Sequence, residues 1–366
     1  MKFSTKKEDI ARELQLLQGI VEKRNTMPIL ANILVNAKEK EIELIGTDLE
    51  VGLKTYFPAQ VKETGSITLS GKKVFEIIKS LPEGKEVNFQ ESDDLTMQIT
   101  SGESEFKVLC LSKEDYPQVP EPKFENKIVF PLDKFQEMID RVYFAITQEQ
   151  RYYLSGALLI VKDNSMELVS TDGHRLAYTA NTIKDLKVGK EIRAIVAKKT
   201  LSELRKFEDE SVEFDLDESN LFFKVEQRTL ISRIIEGKFP DFEAVIPKDN
   251  PNTITVSREE ITEAVRRVSL FSTERSKGIK FFIEKNEMRL FSSNPEMGEA
   301  RDKVAIDYKG DELEIGFNSQ YLLDFLSTVK SDKVQIEFKD SNSSVLMRPE
   351  IEEEVKYHYV LMPMKL

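Results

Sequence analysis

The sequence is short of the residues from which most catalytic and metal sites are built. Its 366 residues include one cysteine, two histidines and no tryptophan. A single cysteine, Cys110, excludes an internal disulfide, and with only His174 and His358 beside it a usual Cys/His zinc site cannot form. A glycine-rich phosphate loop and a G-x-S-x-G motif are also missing. We therefore expect no catalytic group, no metal and no cofactor.

Long apolar runs and a signal-peptide pattern are absent as well, so the sequence predicts a soluble, cytoplasmic protein without a membrane partner. A hydrophobic content of 40% is enough for sizeable cores. The net charge of −12, taken alone, argues against nucleic-acid binding.

What the sequence does contain is one pattern repeated three times. A strand followed by an Asp or Asn turn occurs at Lys40–Asp48, Ser165–Asp172 and Glu287–Asn294, and the three turn residues lie 124 and 122 residues apart. This spacing is too long for a solenoid and fits three complete domains. We predict domains at 1–124, 125–250 and 251–366, separated by joints rich in proline and lysine.

Other landmarks follow the same spacing. Helical patterns occur at Gly71–Leu81, Ala197–Phe207 and Asn318–Lys330, and acidic hairpins begin at Val87, Val212 and Val334. Each repeat also opens with a short strand and an amphipathic helix. Hairpin turns rather than crossovers join the strands, so the predicted fold class is α+β with mostly antiparallel sheets.

Charge is distributed unevenly over these elements. The six predicted helices carry a net charge of +5, which leaves −17 for the rest of the chain. One interpretation is that surface helices favour Lys and Arg in general. The alternative is that the helices share a face that meets a polyanion.

Two acidic clusters could suggest magnesium sites, namely Asp93–Asp94 and the cluster of Asp215, Asp217 and Glu218. They occupy equivalent hairpin turns, where Asp is a common turn residue, so we interpret them as solvated turns. Cys110 lies in a predicted strand and is interpreted as a small core residue.

Two local segments are unusual. Only the second repeat places Gly173, His174 and Arg175 after its Thr-Asp, which is either a plain turn or a site specific to that repeat. The chain also ends in the apolar segment Tyr359–Leu366, whereas most termini are polar. It is either the last strand of the third repeat, or the lining of a groove, or both.

These motifs resemble those of the bacterial DNA polymerase III beta subunit family, the sliding clamps. The resemblance spans the whole chain and rests on the threefold layout, the T-D-G-H-R-L-A segment at Thr171–Ala177, the segment 237–248 and the terminal V-L-M-P-M-K-L. Two positions depart from the usual pattern: Lys365, where the family usually has arginine, and Ala244, where a basic residue is common.

The resemblance implies the DNA clamp fold in a ring-shaped homodimer, with sheets outside and helices lining a central hole around duplex DNA. Weak phosphate contacts would let such a ring slide while topology retains it. Implied partners are the DNA polymerase III catalytic subunit, the clamp loader, and other polymerases and repair proteins. Implied DNA contacts are Arg24, Gln148, Arg151, Tyr152 and Tyr153; charge alone adds Lys198 and Lys199.

The resemblance also implies two protein interfaces. A groove for short partner peptides would be formed by Leu154, Thr171, Gly173, His174, Arg175, Leu176, Pro240, Val245, Val360, Met362, Pro363, Met364 and Lys365. The dimer would join Phe106 and Val108, on an edge strand of the first repeat, to Leu270 and Phe271 of the third; the alternative is that these four are core residues of their own domains.

Two other classes of function stay open at this point. One is an enzyme with a site around Asp172, His174 and Arg175. The other is a structural or adaptor repeat protein without a DNA role.

Overall fold

The computed structural model describes residues 1–21, 27–92, 95–125, 127–147, 152–351 and 354–366. The chain forms two compact units. The N-terminal unit consists of Met1–Asp133 and Lys199–Ile234, and the C-terminal unit consists of Lys134–Lys198 and Ile235–Leu366. No helix among the described residues combines the length and the apolar character needed to cross a membrane.

Strands make up most of the regular structure. They are β1 Lys2–Lys6, β2 Asn32–Ala37, β3 Glu41–Thr47, β4 Val51–Pro58, β5 Gln60–Glu63, β6 Gly65–Ser70, β7 Glu86–Ser92, β8 Thr96–Ser101, β9 Ser104–Leu111, β10 Ile128–Pro131, β11 Gly156–Lys162, β12 Ser165–Thr171, β13 Arg175–Thr182, β14 Ile192–Ala197, β15 Ser211–Leu216, β16 Asn220–Val225, β17 Arg228–Arg233, β18 Asn252–Ser257, β19 Gly278–Glu284, β20 Glu287–Asn294, β21 Gly298–Ala305, β22 Leu313–Asn318, β23 Lys333–Phe338, β24 Val345–Pro349 and β25 Val355–Leu361.

Six α-helices lie in the described part of the chain. They are α1 Lys7–Leu17, α2 Gly71–Ser80, α3 Leu132–Tyr143, α4 Lys198–Leu204, α5 Arg258–Ser269 and α6 Ser319–Thr328. Short 3-10 helices occur at Pro28–Ala31, Lys113–Asp115 and Tyr152–Leu154.

The sheets are antiparallel, as predicted from the hairpin turns. The N-terminal unit holds a 13-stranded sheet in the order β10-β15-β16-β17-β4-β3-β2-β6-β9-β8-β7-β1-β5. The C-terminal unit holds an eight-stranded sheet, β14-β11-β12-β13-β25-β24-β23-β18, and a four-stranded sheet, β21-β20-β19-β22. The α+β fold class is confirmed.

The threefold repeat is present in the structure. The strand-turn pattern corresponds to β3, β12 and β20, the later helices to α2, α4 and α6, and the acidic hairpins to β7–β8, β15–β16 and β23–β24. The predicted turn role of the shared Asp or Asn also holds. One side-chain oxygen of Asp48, Asp172 and Asn294 accepts a hydrogen bond from a backbone N–H two residues further on.

The first helix of each repeat buries the apolar stripe that its sequence predicted. In α1 the stripe is Ile10, Leu14 and Leu17, and the equivalent positions of α3 and α5 are buried in the same way. The predicted capping residue Ser257 accepts a hydrogen bond from Glu260 N–H at 3.3 Å, which fixes the start of α5.

Continuous sheets join neighbouring repeats. In the N-terminal unit β17 pairs with β4, and in the C-terminal unit β13 pairs with β25 over seven residues. Main-chain ladders therefore connect each end of the second repeat to its neighbour, which is why the compact units divide that repeat. The boundaries at 124/125 and 250/251 stay predictions.

Candidate functional site: an apolar groove in the C-terminal unit

An apolar cluster lies at the junction of β13 and β25. Three predicted groove residues, Leu154, Leu176 and Val360, are buried in it together. Leu176 and Val360 are direct partners across the β13–β25 ladder. The cluster gives the predicted groove a preformed apolar floor.

The edges of this floor are exposed. Val245 and Met362 keep 43% and 45% of their surface open to solvent, far more than a core residue of that size. Pro240 and His174 are exposed as well, whereas Pro363 and Met364 are half-buried. The predicted groove residues thus combine a buried apolar cluster with exposed apolar and polar side chains beside it, and apolar surfaces of this kind are used in proteins to bind short peptides.

Sequence reasoning missed several residues of the same cluster. Ile235, Phe239, Phe242 and Leu346 are all buried in it. The signal for the two phenylalanines was available, because both belong to the segment 237–248 that carried the family resemblance. Leu346 was not detectable locally, since it reaches the cluster by pairing with Val360 across the β24–β25 ladder.

The turn between β12 and β13 is shaped by its own side chains. Thr171 Oγ1 donates to the Arg175 carbonyl at 2.6 Å and accepts from Gly173 N–H at 3.1 Å. Gly173 has φ +91°, a backbone conformation that favours glycine. This local network holds Gly173 and His174 exposed beside the groove.

Arg175 was predicted to contact a partner peptide, but it lies inside the protein. Its side chain is buried. Nε donates to Asp172 at 3.0 Å, Nη1 to Asp324 at 2.6 Å and Nη2 to the Phe144 carbonyl at 2.6 Å. The guanidinium also lies 4.1 Å from the Tyr321 ring centroid. Arg175 therefore connects β13 to α6 and to Phe144, the residue that follows α3, and these internal partners already use its donors.

The terminal segment leaves the sheet after Leu361. Met362 N–H donates to the His174 carbonyl at 3.0 Å, and Met364 N–H donates to the Gly316 carbonyl at 2.9 Å. Of the alternatives left open by the sequence, the structure shows that β25 is the last strand, and Met362–Leu366 continues beyond it towards β19 and β22, where Leu366 lies close to Gly278 and Gly316. The role of this segment in lining a groove stays a prediction.

The predicted DNA contacts can be placed only in part. Arg24, Gln148 and Arg151 lie outside the described residues, as does the side chain of Tyr152. Tyr153 is exposed.

The two lysines predicted from charge alone are engaged within the protein. Lys198 Nζ donates to the Ile146 carbonyl at 2.9 Å, and burial with the nearby Arg175 charge lowers its pKa. Lys199 pairs with Asp48 and donates to the Ile20 carbonyl at 2.8 Å. Their charges are therefore less available to phosphate than the sequence suggested.

Of the predicted dimer residues, Phe106 and Val108 lie on the strand β9, and Leu270 and Phe271 follow helix α5. β9 pairs with β8 along its length but with β6 only at Cys110 and Leu111, and β21 has β20 as its one described neighbour. Leu270 follows α5 and is 69% exposed, whereas Val108 is buried within its own domain, as the alternative held. Strand alternation explains this: Val108 and Cys110 face the core, so Leu109 points outward and is 81% exposed.

The acidic residues do not form a metal site in the described part of the chain. Asp217 Oδ1 accepts from the backbone of Ser219 and Asn220, as expected for a turn residue. Asp93 and Asp94 lie outside the described residues. Cys110 is buried, and burial raises the pKa of its thiol to about 11.

Comparison with known proteins agrees with this geometry. Three domain families match in order: the N-terminal domain of the DNA polymerase III beta subunit at residues 1–120, the central domain at 130–241 and the C-terminal domain at 243–365. The beta sliding clamps of Pseudomonas putida and Pseudomonas aeruginosa are each 33% identical, over 100% of both chains.

Solved structures show the same three-domain fold. The crystal structure of the DNA polymerase III subunit beta from Pseudomonas aeruginosa matches with a TM-score of 0.94 at 33% identity, over 100% of each chain. A Pseudomonas aeruginosa sliding clamp bound to griselimycin matches equally well, again over 100% of each chain. The chain belongs to the DNA polymerase III beta subunit family, the beta sliding clamps, which are non-catalytic processivity subunits.

Proposed function

We propose that two copies of this chain close head to tail into a ring around duplex DNA, and that the ring tethers DNA polymerase III through the groove at the β13–β25 junction. The observation that carries the tethering role is the buried floor of Leu154, Leu176 and Val360 beside the exposed Val245 and Met362. The chain would act in the cytoplasm, without catalysis or a cofactor.

The groove suits exchange among several partners. Burying one Leu or Phe side chain contributes about 1.5–3 kcal/mol, and ordering the peptide offsets part of that gain. A peptide with two such anchors would bind with moderate affinity. The clamp loader, other polymerases and repair proteins would therefore compete for one groove per chain, and methionine at its edge can repack around each of them.

The groove is tested by deleting Met362–Leu366 and by Met362→Ala. With a fluorescent polymerase-derived clamp-binding peptide, we expect Met362→Ala to weaken binding about tenfold, the effect of losing one anchor contact. The matched control is Met297→Ala, because Met297 is an exposed methionine of the third repeat outside the groove. If the deleted protein keeps full peptide affinity, the terminal segment takes no part in partner binding.

We propose that the ring closes by pairing the edge of β9 with the edge of β21 of the second copy. Open strand edges favour such pairing, and the exposed Leu270 beside half-buried Phe271 offers apolar surface next to β21. Leu270→Ala with Phe271→Ala should yield monomers in analytical ultracentrifugation. Ile351→Ala, an exposed apolar residue elsewhere in the third repeat, should leave the dimer intact. A double variant that stays dimeric would refute this interface.

DNA contact is proposed for Arg24, Gln148, Arg151, Tyr152 and Tyr153, with Lys198 and Lys199 contributing less because of their internal partners. Phosphate contacts position a duplex without reading its sequence. We expect Arg24→Ala with Gln148→Ala to leave the dimer intact and to impair loading at a primer end. Normal loading by this variant would assign both residues to solvated loops.

A further inference from the structure

The strand β9, at an edge of the N-terminal unit, carries a row of exposed charges. Glu105 and Lys107 point outward, and Glu103 is exposed in the turn just before the strand. Phe106 and Val108 alternate with them on the inward face. Along the chain, the outward face of β9 therefore carries two negative charges and then a positive one.

The strand β21, at an edge of the C-terminal unit, carries a complementary row. Its outward charged residues are Glu299, Arg301 and Lys303, whereas Val304 is buried on the inward face. Arg301 pairs with Glu299 at 3.0 Å, and Lys303 pairs with Glu287 at 2.9 Å. These pairs are exposed, and exposed pairs contribute little to stability. Along the chain, the outward face of β21 carries one negative charge and then two positive ones.

The two rows match in one antiparallel register, the orientation in which both strands already pair with their own neighbours. If the inward faces stay on one side, outward residues meet outward residues, and the register can change only in steps of two. One register places three pairs of opposite charges across from each other: Glu103 with Lys303, Glu105 with Arg301, and Lys107 with Glu299.

The neighbouring registers bring like charges together. A shift of two residues in one direction places Glu105 opposite Glu299. A shift of two residues in the other direction places Lys107 opposite Arg301. Like charges directly opposite each other destabilise a sheet, whereas opposite charges stabilise it. Charge therefore favours the first register over both of its neighbours.

Side-chain size on the inward face fits the same register. Phe106 comes opposite Ala300, and Val108 comes opposite Gly298, so each larger residue meets a small one. A Cβ on Gly298 would stand 3.6 Å from the Phe271 ring. Because Gly298 has no side chain, a second strand can approach closely beside that ring.

We infer that β9 joins β21 of a second copy of this chain in this one register, and that the outward charges of the two strands select the second copy. The inference rests on the proposed ring closure and adds the register and the residues that determine it. A partner with a different charge pattern would place like charges across the interface, which disfavours it.

The ion pairs within each strand are compatible with this interface. Glu105 already lies 4.0 Å from Lys107 on β9, as Arg301 lies 3.0 Å from Glu299 on β21. The register gives each of these charges a second opposite charge, across the interface, so no existing pair has to break. A two-fold ring contains the interface twice, so each cross-strand pair contributes twice.

Charge reversal tests the pairing of Glu105 with Arg301 in the full-length protein. In Glu105→Arg, and separately in Arg301→Glu, both interfaces of the dimer hold like charges. We expect the dimer dissociation constant of either variant, measured by sedimentation at low salt, to rise by about tenfold or more.

Mixing the two variants should restore the dimer as a heterodimer. At one interface the introduced arginine then faces the introduced glutamate, and at the other the natural Glu105 faces the natural Arg301. Native mass spectrometry with one variant isotopically labelled identifies the heterodimer. Its formation also shows that both variants fold.

Lys280→Glu is the matched control. It makes the same change in charge as Arg301→Glu and lies in the same sheet, but on β19, where Lys280 pairs with Glu314 at 2.8 Å. It should dimerise as the parent does, and it should form no preferential heterodimer with Glu105→Arg. A compensation of net charge alone would make the two mixtures behave alike, which would overturn the inference.

The remaining outcomes separate the register from the ring. A dimer that either single variant strengthens would indicate a register shifted by two residues and would overturn the inference. Variants that dimerise as the parent does, or weakened variants that form no heterodimer, would overturn it as well. In a dimeric parent these results leave ring closure standing and remove only the register. A monomeric parent would contradict the proposed ring, and the inference with it.

Discussion

Replacing Arg175 by alanine tests whether this residue contacts partner peptides or holds the β13–β25 junction together. The side chain is buried and bonded to Asp172, Asp324 and the Phe144 carbonyl. Arg175→Ala removes the positive partner of two carboxylates and the donor to one carbonyl. The carboxylates of Asp172 and Asp324 would then lose the cation that they share.

The expected cost follows from these contacts. Removing one partner of a buried ion pair costs about 3–5 kcal/mol, and contacts of one network do not add independently. We therefore expect Arg175→Ala to destabilise the junction by about 4 kcal/mol. Arg175→Lys keeps the charge but loses the planar fork that reaches three partners, so we expect roughly half of that loss.

Amide hydrogen exchange measures the loss of stability at individual strands. A local measurement is needed because a multidomain chain does not unfold in one step. Exchange of the β13 and β25 amides should accelerate about a thousandfold in Arg175→Ala, because each 1.4 kcal/mol corresponds to about a factor of ten. Arg193→Ala is the matched control, since Arg193 lies on β14 of the same sheet and makes an exposed ion pair with Glu191 at 3.1 Å. Exposed pairs contribute only about 0–1 kcal/mol.

Peptide binding then separates the two roles. If Arg175 positions the groove, Arg175→Ala weakens peptides with acidic and neutral flanks by the same factor. If it pairs with the peptide, the acidic-flanked peptide loses more. Our assignment of Arg175 as a positioning residue would be refuted by two results together: an amide exchange rate that rises less than tenfold, and a loss of affinity confined to peptides with acidic flanks.

Three further outcomes are expected. Glu13 and Arg228 form a buried bidentate pair with contacts at 2.6 and 2.9 Å. Measured by hydrogen exchange of the β4 and β17 amides, Arg228→Ala should destabilise this region by about 3–5 kcal/mol, whereas Glu13→Leu with Arg228→Leu should be near neutral. Equal losses in the two variants would contradict this. Burial, with Lys356 and Arg348 nearby, lowers the pKa of His358 to about 4 from 6.5. As the pH falls, the unfolded chain therefore takes up the proton before the folded chain does. The stability that is present above pH 6.5 should fall by about 1–2 kcal/mol towards pH 4, less than the full effect because the ring is partly exposed. His358→Gln should flatten the dependence of stability on pH, and an unchanged dependence would exclude His358 as its cause. A Cβ on Gly316 would stand 2.5 Å from the Met364 carbonyl oxygen, so Gly316→Ala should displace the terminal segment. We expect this variant to bind groove peptides about tenfold more weakly without a change in oligomeric state. Unchanged peptide affinity would contradict the role of the terminal segment.

The repeated elements could be predicted from the sequence because their signals are local. Alternating strands, helical stripes and turn residues such as Asp48 and Asp172 depend on neighbours within a few positions. Copies at a common spacing strengthen each signal, since three weak patterns at equivalent places are harder to explain by chance. The fold class and the hairpins followed directly.

Which side of β9 faces the core could not be predicted in the same way. Both sides of this strand carry apolar residues, Phe106 and Val108 on one side and Leu109 and Leu111 on the other. A period of two divides them into two sets but does not say which set faces the core. The packing of the N-terminal unit decides this, and it buries Val108.

The partners of the ion pairs could not be predicted from the sequence either. Counting charges over helices treated Lys199 as available to DNA, but Asp48, 151 residues away in sequence, neutralises it. Arg175 meets Asp324 across 149 residues for the same reason. Such pairs depend on how strands from different repeats come together, and no local pattern records that.

The structural role of the apolar terminal segment depends on contacts with residues far away in the sequence. Its apolar character was visible in the sequence, but that character fits a final strand as well as the wall of a groove. The structure separates the two at Leu361, where pairing with Arg175 ends. Beyond that point single hydrogen bonds hold the chain, at Met362 to the His174 carbonyl and at Met364 to the Gly316 carbonyl. Few hydrogen bonds and partial exposure make a segment easy to rearrange, so in the proposed groove Met362–Leu366 would adjust to different peptides.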